Sequence, residues 1–176
     1  MIEPRKIQPS SVPAALKQAQ HYRLLNEPQL AESICRDIVV VDPENELALI
    51  TMLLSLTDQF DEKFGAARDQ AKEIRSKLPK PYHQAYYEGI ILERWARAQQ
   101  KLAVPAETIQ AWVRSAMQYY HEAAELAPAD DPNPLLRWNT CARFLNELDQ
   151  RNSHHASQEA SIRHVHAEYG DDVPFR

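Results

Sequence analysis

The chain has 176 residues, with 25 acidic and 20 basic side chains and a formal net charge of −5. This length suggests one domain that can bury a substantial core. The negative charge argues against a nucleic-acid binder that relies on neutralising phosphates. Only three glycines are present against twelve prolines, and the remaining composition favours helices because glycine costs about 1 kcal/mol relative to alanine inside one. We therefore expect an all-α protein in which prolines separate the helices.

The longest apolar run covers residues 47–56 and is interrupted by Thr51 and Ser55. It is too short to span a bilayer, which requires roughly 20 residues, so we expect no membrane insertion. The N-terminal residues have no apolar core typical of a secretory signal. Two cysteines are too few for a disulfide framework. A reduced, cytoplasmic protein is the expected localisation.

Helix signals alternate with breakers along the chain, and Asn133–Pro134 is typical of an N-cap followed by a first turn. Residues 152–157 (NSHHAS) are interpreted as a weak linker, and Gly170 as the end of the last helix. The predicted helices cover about residues 10–26, 28–41, 44–59, 61–77, 82–102, 105–127, 133–149 and 157–169.

One pattern of four residues occurs three times, always at helix ends. Its members are spaced four, three and five residues apart, and the last is proline. Positions four and three apart share one helix face, where a small side chain lets a neighbouring helix approach closely; proline then ends the helix. The three instances are Ala31, Cys35, Ile38 and Pro43; Ala67, Ala71, Ile74 and Pro79; and Ala116, Tyr120, Ala123 and Pro128.

A second pattern precedes each of these helices. A small or apolar residue is followed three positions later by an apolar or aromatic one, in the pairs Ala19–Tyr22, Leu53–Leu56 and Gly89–Leu92, and again in Ala142–Leu145 of the seventh predicted helix. Residue patterns that recur at corresponding positions of successive helix pairs indicate stacked repeat units. At these residues the chain resembles the tetratricopeptide repeat (TPR) family, over residues 12 to about 150.

The resemblance implies an α–α superhelix of three to four TPR-like helix hairpins with a C-terminal capping helix. The expected organisation is a flexible segment over 1–11, units over about 12–45, 46–81, 82–130 and 133–150 onward, a cap or degenerate half-repeat over 151–169, and a tail over 170–176. The third unit carries about fifteen extra residues between Leu92 and Ala116, which are expected to lengthen both of its helices.

The resemblance also implies a concave groove, lined by the first helix of each unit, that binds a peptide or a partner helix. Taking the helix face opposite the packing residues, we predict that the groove contains Leu16, Gln20, Arg23, Leu47, Ile50, Leu54, His83, Tyr86, Ile90, Arg94, Asn139, Arg143 and Asn146, with Asp58, Glu93 and Leu136 beside them.

The same residues also have an alternative interpretation, in which they serve the packing of the fold and do not bind a partner. Leu47, Ile50 and Leu54 could be ordinary core covered by a terminal segment. Tyr86 and Arg94 could serve packing and surface solvation. A carboxylate clamp, which some family members use to hold a partner's C-terminus, is not expected, because Leu16 and Gln20 stand where the first unit would need Lys and Asn.

Chemistry-bearing motifs are weak in this sequence. Three scattered glycines cannot form a phosphate loop, and neither HExxH nor GxSxG is present. The histidines at 154, 155, 164 and 166 are crowded, but His164 and His166 lie two apart on different sides of a helix, so no metal site is expected. Cys35 and Cys141 fall in packed helical phase. We expect no enzymatic activity and no cofactor.

The function that the sequence favours is a protein–protein interaction scaffold or adaptor, as a monomer or weak homodimer. Two alternatives remain open. Small acidic proteins with three such repeats also act as secretion chaperones, although the glycine-rich turns common in those proteins are missing. The chain could also be a regulatory subunit of a larger complex. The partner's identity does not follow from the sequence.

The close-packing interpretation makes a direct prediction. Ala123→Leu should lower the free energy of unfolding by roughly 1–3 kcal/mol, because it overfills a close helix contact. Thermal and denaturant unfolding of the variant measure this, and an unchanged melting temperature would contradict the assigned packing face.

Overall fold

A computed structural model describes residues 2–169 of the protein, without the side chains of residues 63, 64 and 154–169. Over this range the chain forms a short 3-10 turn, Pro9–Ser11, and α-helices without any strand, which confirms the all-α prediction. The helices are α1 (Val12–Leu24), α2 (Pro28–Val41), α3 (Glu46–Thr57), α4 (Phe60–Ser76), α5 (Pro81–Gln100), α6 (Ala106–Leu126) and α7 (Asn133–Tyr169). None of these helices is both long and apolar enough to cross a membrane.

The first six helices lie within a few residues of their predicted bounds, and α5 and α6 are the long pair expected of the third unit. The end of the chain differs from the prediction. Residues 152–157 continue α7 instead of forming a linker, so the separate helix predicted for 157–169 is wrong. Asn, Ser and His are only modestly unfavourable in a helix, and neither proline nor glycine interrupts this stretch. The tail over 170–176, with Gly170, lies outside the described residues.

Each helix packs against the next one along the chain, and α3 also contacts α1 and α5. Polar residues at the connections support this order. The Asn45 side chain accepts a hydrogen bond from the Ala48 backbone N–H at 3.0 Å and so caps α3. After α1, Asn26 adopts a left-handed conformation with φ of 61°, and the following Glu27 N–H donates to the carbonyl of Tyr22.

The repeated four-residue pattern lies in the core, as predicted. Its nine non-proline residues are all buried, with exposed fractions of 5% or less: Ala31, Cys35, Ile38, Ala67, Ala71, Ile74, Ala116, Tyr120 and Ala123. The faces predicted to pack are therefore the ones that neighbouring helices cover.

The packing face of α7 differs from the predicted one by one residue. Cys141, Phe144 and Leu148 are buried, whereas Ala142 and Leu145 are only half-buried. Helix α7 packs chiefly on α6 and also contacts α5, where Arg97 lies over the Phe144 ring and Arg137 lies 3.6 Å from Glu93. The buried residues of α7 are therefore those that join the core cluster formed with α5 and α6.

Gly89 lies at a close contact between α5 and α6. A Cβ atom at this position would lie 2.6 Å from Cε1 of the Tyr120 ring. Tyr120 is itself fully buried and donates a hydrogen bond of 2.8 Å to Glu93, so its ring has little freedom to move away. Gly65, in α4, has open space around the equivalent point.

Alanine substitution at these two helical glycines should have opposite effects. Gly89→Ala should reduce the free energy of unfolding by about 1–3 kcal/mol, since the clash with Tyr120 exceeds the gain in helix propensity. Gly65→Ala should raise it by up to about 1 kcal/mol. Chemical denaturation of both variants provides the measurement, and stabilisation of Gly89→Ala would show that the two helices do not approach this closely.

Candidate functional site

An open cavity of about 310 Å³ lies between α1 and α3; we call it the α1–α3 groove. One face of α3 packs into the core through Leu49, Leu53 and Leu56, and the opposite face is also apolar. On that opposite face Leu47 is 56% exposed. The residues that line the groove are Gln20, Arg23, Leu24, Leu47, Ile50, Thr51 and Leu54.

Five of the predicted groove residues thus meet in one cavity: Gln20, Arg23, Leu47, Ile50 and Leu54. Ile50 and Leu54 are half-buried and border the core as well as the cavity. These side chains therefore pack on the core while one side of them remains uncovered by the described residues, and their contact with a partner stays a prediction.

Asp58, which follows the last turn of α3, connects three helices. Its carboxylate accepts a hydrogen bond of 2.7 Å from Nε of Arg23 on α1, and it also pairs with Arg94 on α5. Arg94 donates further to the hydroxyl of Thr57 at 2.7 Å. Two guanidinium groups therefore share a single carboxylate at the end of the α1–α3 groove.

A second cavity, of about 210 Å³, opens beside this cluster; we call it the basic pocket. Arg94, Arg97 and Lys101 follow one another on a single face of α5, and Lys101 forms an ion pair with Asp61 of α4. The lining residues are Thr57, Asp58, Phe60, Asp61, Arg94, Arg97, Ala98 and Lys101. Arg97 and Lys101 were not predicted from the sequence, although Arg97 lies three residues after Arg94 and Lys101 four residues after Arg97, a spacing that places side chains on one helix face.

The predicted groove residues His83 and Tyr86 lie at the other end of α5, in an aromatic cluster. The ring centroid of Tyr86 lies 5.9 Å from that of Tyr82 and 5.8 Å from that of Tyr120. His83 Nδ1 is 2.5 Å from a carboxylate oxygen of Glu46. Desolvation raises the pKa of Glu46, but hydrogen bonds from Lys80 and His83 outweigh it and hold this pKa below its usual value.

Tyr87 shares this cluster and faces the end of α1. Burial raises the pKa of Tyr87 to about 12; the neighbouring Tyr86 and Glu46 add to the rise, and Arg23 opposes it. The phenol is therefore neutral in neutral solution. Tyr86 therefore packs within an aromatic cluster, as its structural interpretation expects, and its contact with a partner stays a prediction.

Ile90 and Glu93 do not face the groove. Ile90 is 1% exposed and belongs to a core cluster with Tyr120 and Phe144. Glu93 is 2% exposed and accepts from the Tyr120 hydroxyl at 2.8 Å. The prediction assumed that one face of α5 stays open along its length; contacts with α4, α6 and α3 cover this part of it on several sides.

The remaining predicted groove residues lie apart from the two cavities. Leu16 is half-buried and packs on a cluster formed by Val12, Ile38 and Ala48. On α7, Asn139 is half-buried, whereas Arg143, Asn146 and Leu136 are exposed. The α1–α3 groove and the basic pocket include none of these residues.

The two cysteines, Cys35 and Cys141, are both buried. Burial raises the pKa of both the Cys35 and the Cys141 thiols to about 12, with the negative charges of Glu32 and Glu93 adding to the respective rises. Both thiols therefore stay protonated. Among the residues whose side chains are described, no three His, Cys, Asp or Glu residues form a group suited to a metal ion. The side chains of the histidines at 154, 155, 164 and 166 lie outside the described residues.

Fold and site together define an all-α protein of consecutively packed helices with an open, partly apolar groove. Comparison with protein-family models, with curated protein sequences and with solved structures finds no match to this chain.

The buried carboxylate of Glu93 should be important for stability. It contacts Arg97 at 3.3 Å and Arg137 at 3.6 Å in addition to Tyr120, so it connects α5, α6 and α7. Glu93→Ala should cost about 3 kcal/mol of unfolding free energy, because removing one partner leaves buried polar groups uncompensated.

Glu73 is the matched control for this substitution. It also pairs with a base four residues later, Lys77, but its side chain is 65% exposed, so Glu73→Ala should change the melting temperature little. Equal melting temperatures for the two variants would show that the Glu93 network does not stabilise the fold.

Proposed function

We propose that this protein is a non-catalytic interaction scaffold or adaptor, built from TPR-like helix hairpins, that binds a peptide or a partner helix in the α1–α3 groove. The proposal rests on one observation above the others. The apolar residues Leu47, Ile50 and Leu54 follow one another along a single face of α3, and this face borders an open cavity.

The order of the helices also supports the proposal. The contacts among α1, α3 and α5 are those expected of first helices in stacked hairpins, and the repeated pattern is buried between consecutive helices. An elongated apolar strip with polar ends suits a segment that inserts alternate or helically spaced apolar side chains. An exposed apolar strip of this kind is typical of an interaction site.

Substitution of Leu47 tests the proposal most cleanly. Tyr86 and Arg94 hold internal contacts, so replacing them would disturb the fold, whereas Leu47 is 56% exposed. Leu47→Asp should abolish capture of partner proteins in quantitative affinity purification while leaving the melting temperature nearly unchanged, because it places a charge in the apolar strip.

Val40 provides the matched control. It lies on α2, outside the groove, and is 59% exposed. Val40→Asp should capture the same proteins as the unmodified chain. If Leu47→Asp retains every partner that Val40→Asp retains, the groove is not the binding surface.

A further inference from the structure

The charged groups around the end of the α1–α3 groove do not balance. Two arginines, Arg23 and Arg94, pair there with one carboxylate, Asp58, although the whole chain has a net charge of −5. In the adjoining basic pocket Lys101 pairs with Asp61, whereas Arg97 pairs with the enclosed Glu93, which lines neither cavity. A local excess of positive charge therefore lies on a chain that is acidic overall.

This excess is concentrated at Asp58. Arg23 and Arg94 both pair with this one carboxylate, and their side chains are 25% and 21% exposed. Burial lowers the pKa of Arg94, Asp58 raises it, and the positive charges of Arg23 and Arg137 lower it again. One of the two arginines thus has no carboxylate of its own in the described ion pairs, and its planar guanidinium group can donate hydrogen bonds to the two oxygens of a further carboxylate.

The distance between Asp58 and the apolar strip of Leu47, Ile50 and Leu54 determines what kind of segment could bind both. Leu54 and Asp58 are one helical turn apart, or about 6 Å, and Leu47 and Asp58 are about 16 Å apart at 1.5 Å per residue. A bound segment that covers the strip would therefore bring a side chain to the arginines about two extended residues, or one helical turn, beyond its nearest apolar anchor.

We propose that the occupant of the α1–α3 groove is an acidic–apolar segment of a separate protein, whose Asp or Glu side chain pairs with Arg23 and Arg94 while its apolar side chains contact Leu47, Ile50 and Leu54. This inference rests on the proposed function and adds the chemistry of the partner. The carboxylate is a side chain within the segment and not a chain terminus. The partner's acid supplies the negative charge that Asp58 alone does not provide.

The test uses a random peptide library of about sixteen residues, displayed and selected against the full chain. Enriched peptides should carry Asp or Glu about one turn or two extended residues from a pair of apolar residues. The selected peptides are then synthesised with an amidated C-terminus, and their affinity for the purified chain is measured at several salt concentrations. Affinity should fall as salt increases, because the ion pair lies at a partly exposed site.

Two substitutions should change this affinity in opposite directions. Arg23→Gln should weaken binding of the acidic peptides by on the order of tenfold, whereas Asp58→Asn should strengthen it, because Asn leaves both arginines free to pair with the peptide. A merely structural role of the cluster would lower the affinity in both variants. Arg36→Gln is the control, since Arg36 pairs with Glu32 on α2 outside the groove and its loss should leave the affinity unchanged.

The possible outcomes separate this inference from the proposed function. If the selected peptides lack an acidic residue, lose their affinity in Leu47→Asp and bind Arg23→Gln and Asp58→Asn as tightly as the unmodified chain, the acidic partner is refuted. The groove then remains the binding surface. If no selected peptide depends on Leu47, both proposals fail. If amidation of the peptide C-terminus abolishes binding, the arginines bind a terminal carboxylate, and the proposed side-chain carboxylate is refuted. If peptides are selected only against the chain that carries both Asp171→Asn and Asp172→Asn, the chain's own tail is the occupant of the groove, and a separate partner is refuted.

Discussion

Close approach of consecutive helices, at positions where the side chain is almost absent, is the constraint on which the rest of the structure depends. Ala31, Ala67 and Ala116 are buried at the helix contacts, and Gly89 meets the ring of Tyr120 with no space for a Cβ atom. Because interhelical distance depends on the side chains at the contact, these residues determine how the helices of each pair lie against one another. The open groove between α1 and α3 is a consequence of that arrangement.

Carboxylates connect helices that are distant in sequence. Asp58 joins α1, α3 and α5 through two arginines, and Glu93 joins α5, α6 and α7 through Tyr120 and two arginines. Their surroundings differ in a way that matters for function. Glu93 is enclosed and its bonds are directed into the core, so it serves stability. Asp58 lies at the edge of a cavity, and the side chains of both its arginines are partly exposed there.

Much of the fold could be predicted because helix boundaries and packing faces are local properties. Prolines and caps indicated the ends of the first six helices, and the spacing of small residues identified the buried faces. The failure in α7 has a physical reason. The residues of 152–157 are only weak helix formers and not breakers, and a weak local preference does not stop a helix that is already propagating. Its packing face is shifted by one residue because Cys141, Phe144 and Leu148 join the core cluster that α5 and α6 form.

The candidate site was predictable only in part, since a face opposite the packing residues need not be exposed. Sequence alone determined which helices form, which residues pack between consecutive helices and which apolar positions recur along α3, because these follow from periodicity within a dozen residues. Only the tertiary structure decided that Ile90 and Glu93 are enclosed, that Arg23 and Arg94 meet at one Asp58, and that Leu47 remains open. These outcomes depend on how helices whose contacting residues lie more than twenty positions apart in the sequence pack against each other, and no local sequence pattern encodes that packing.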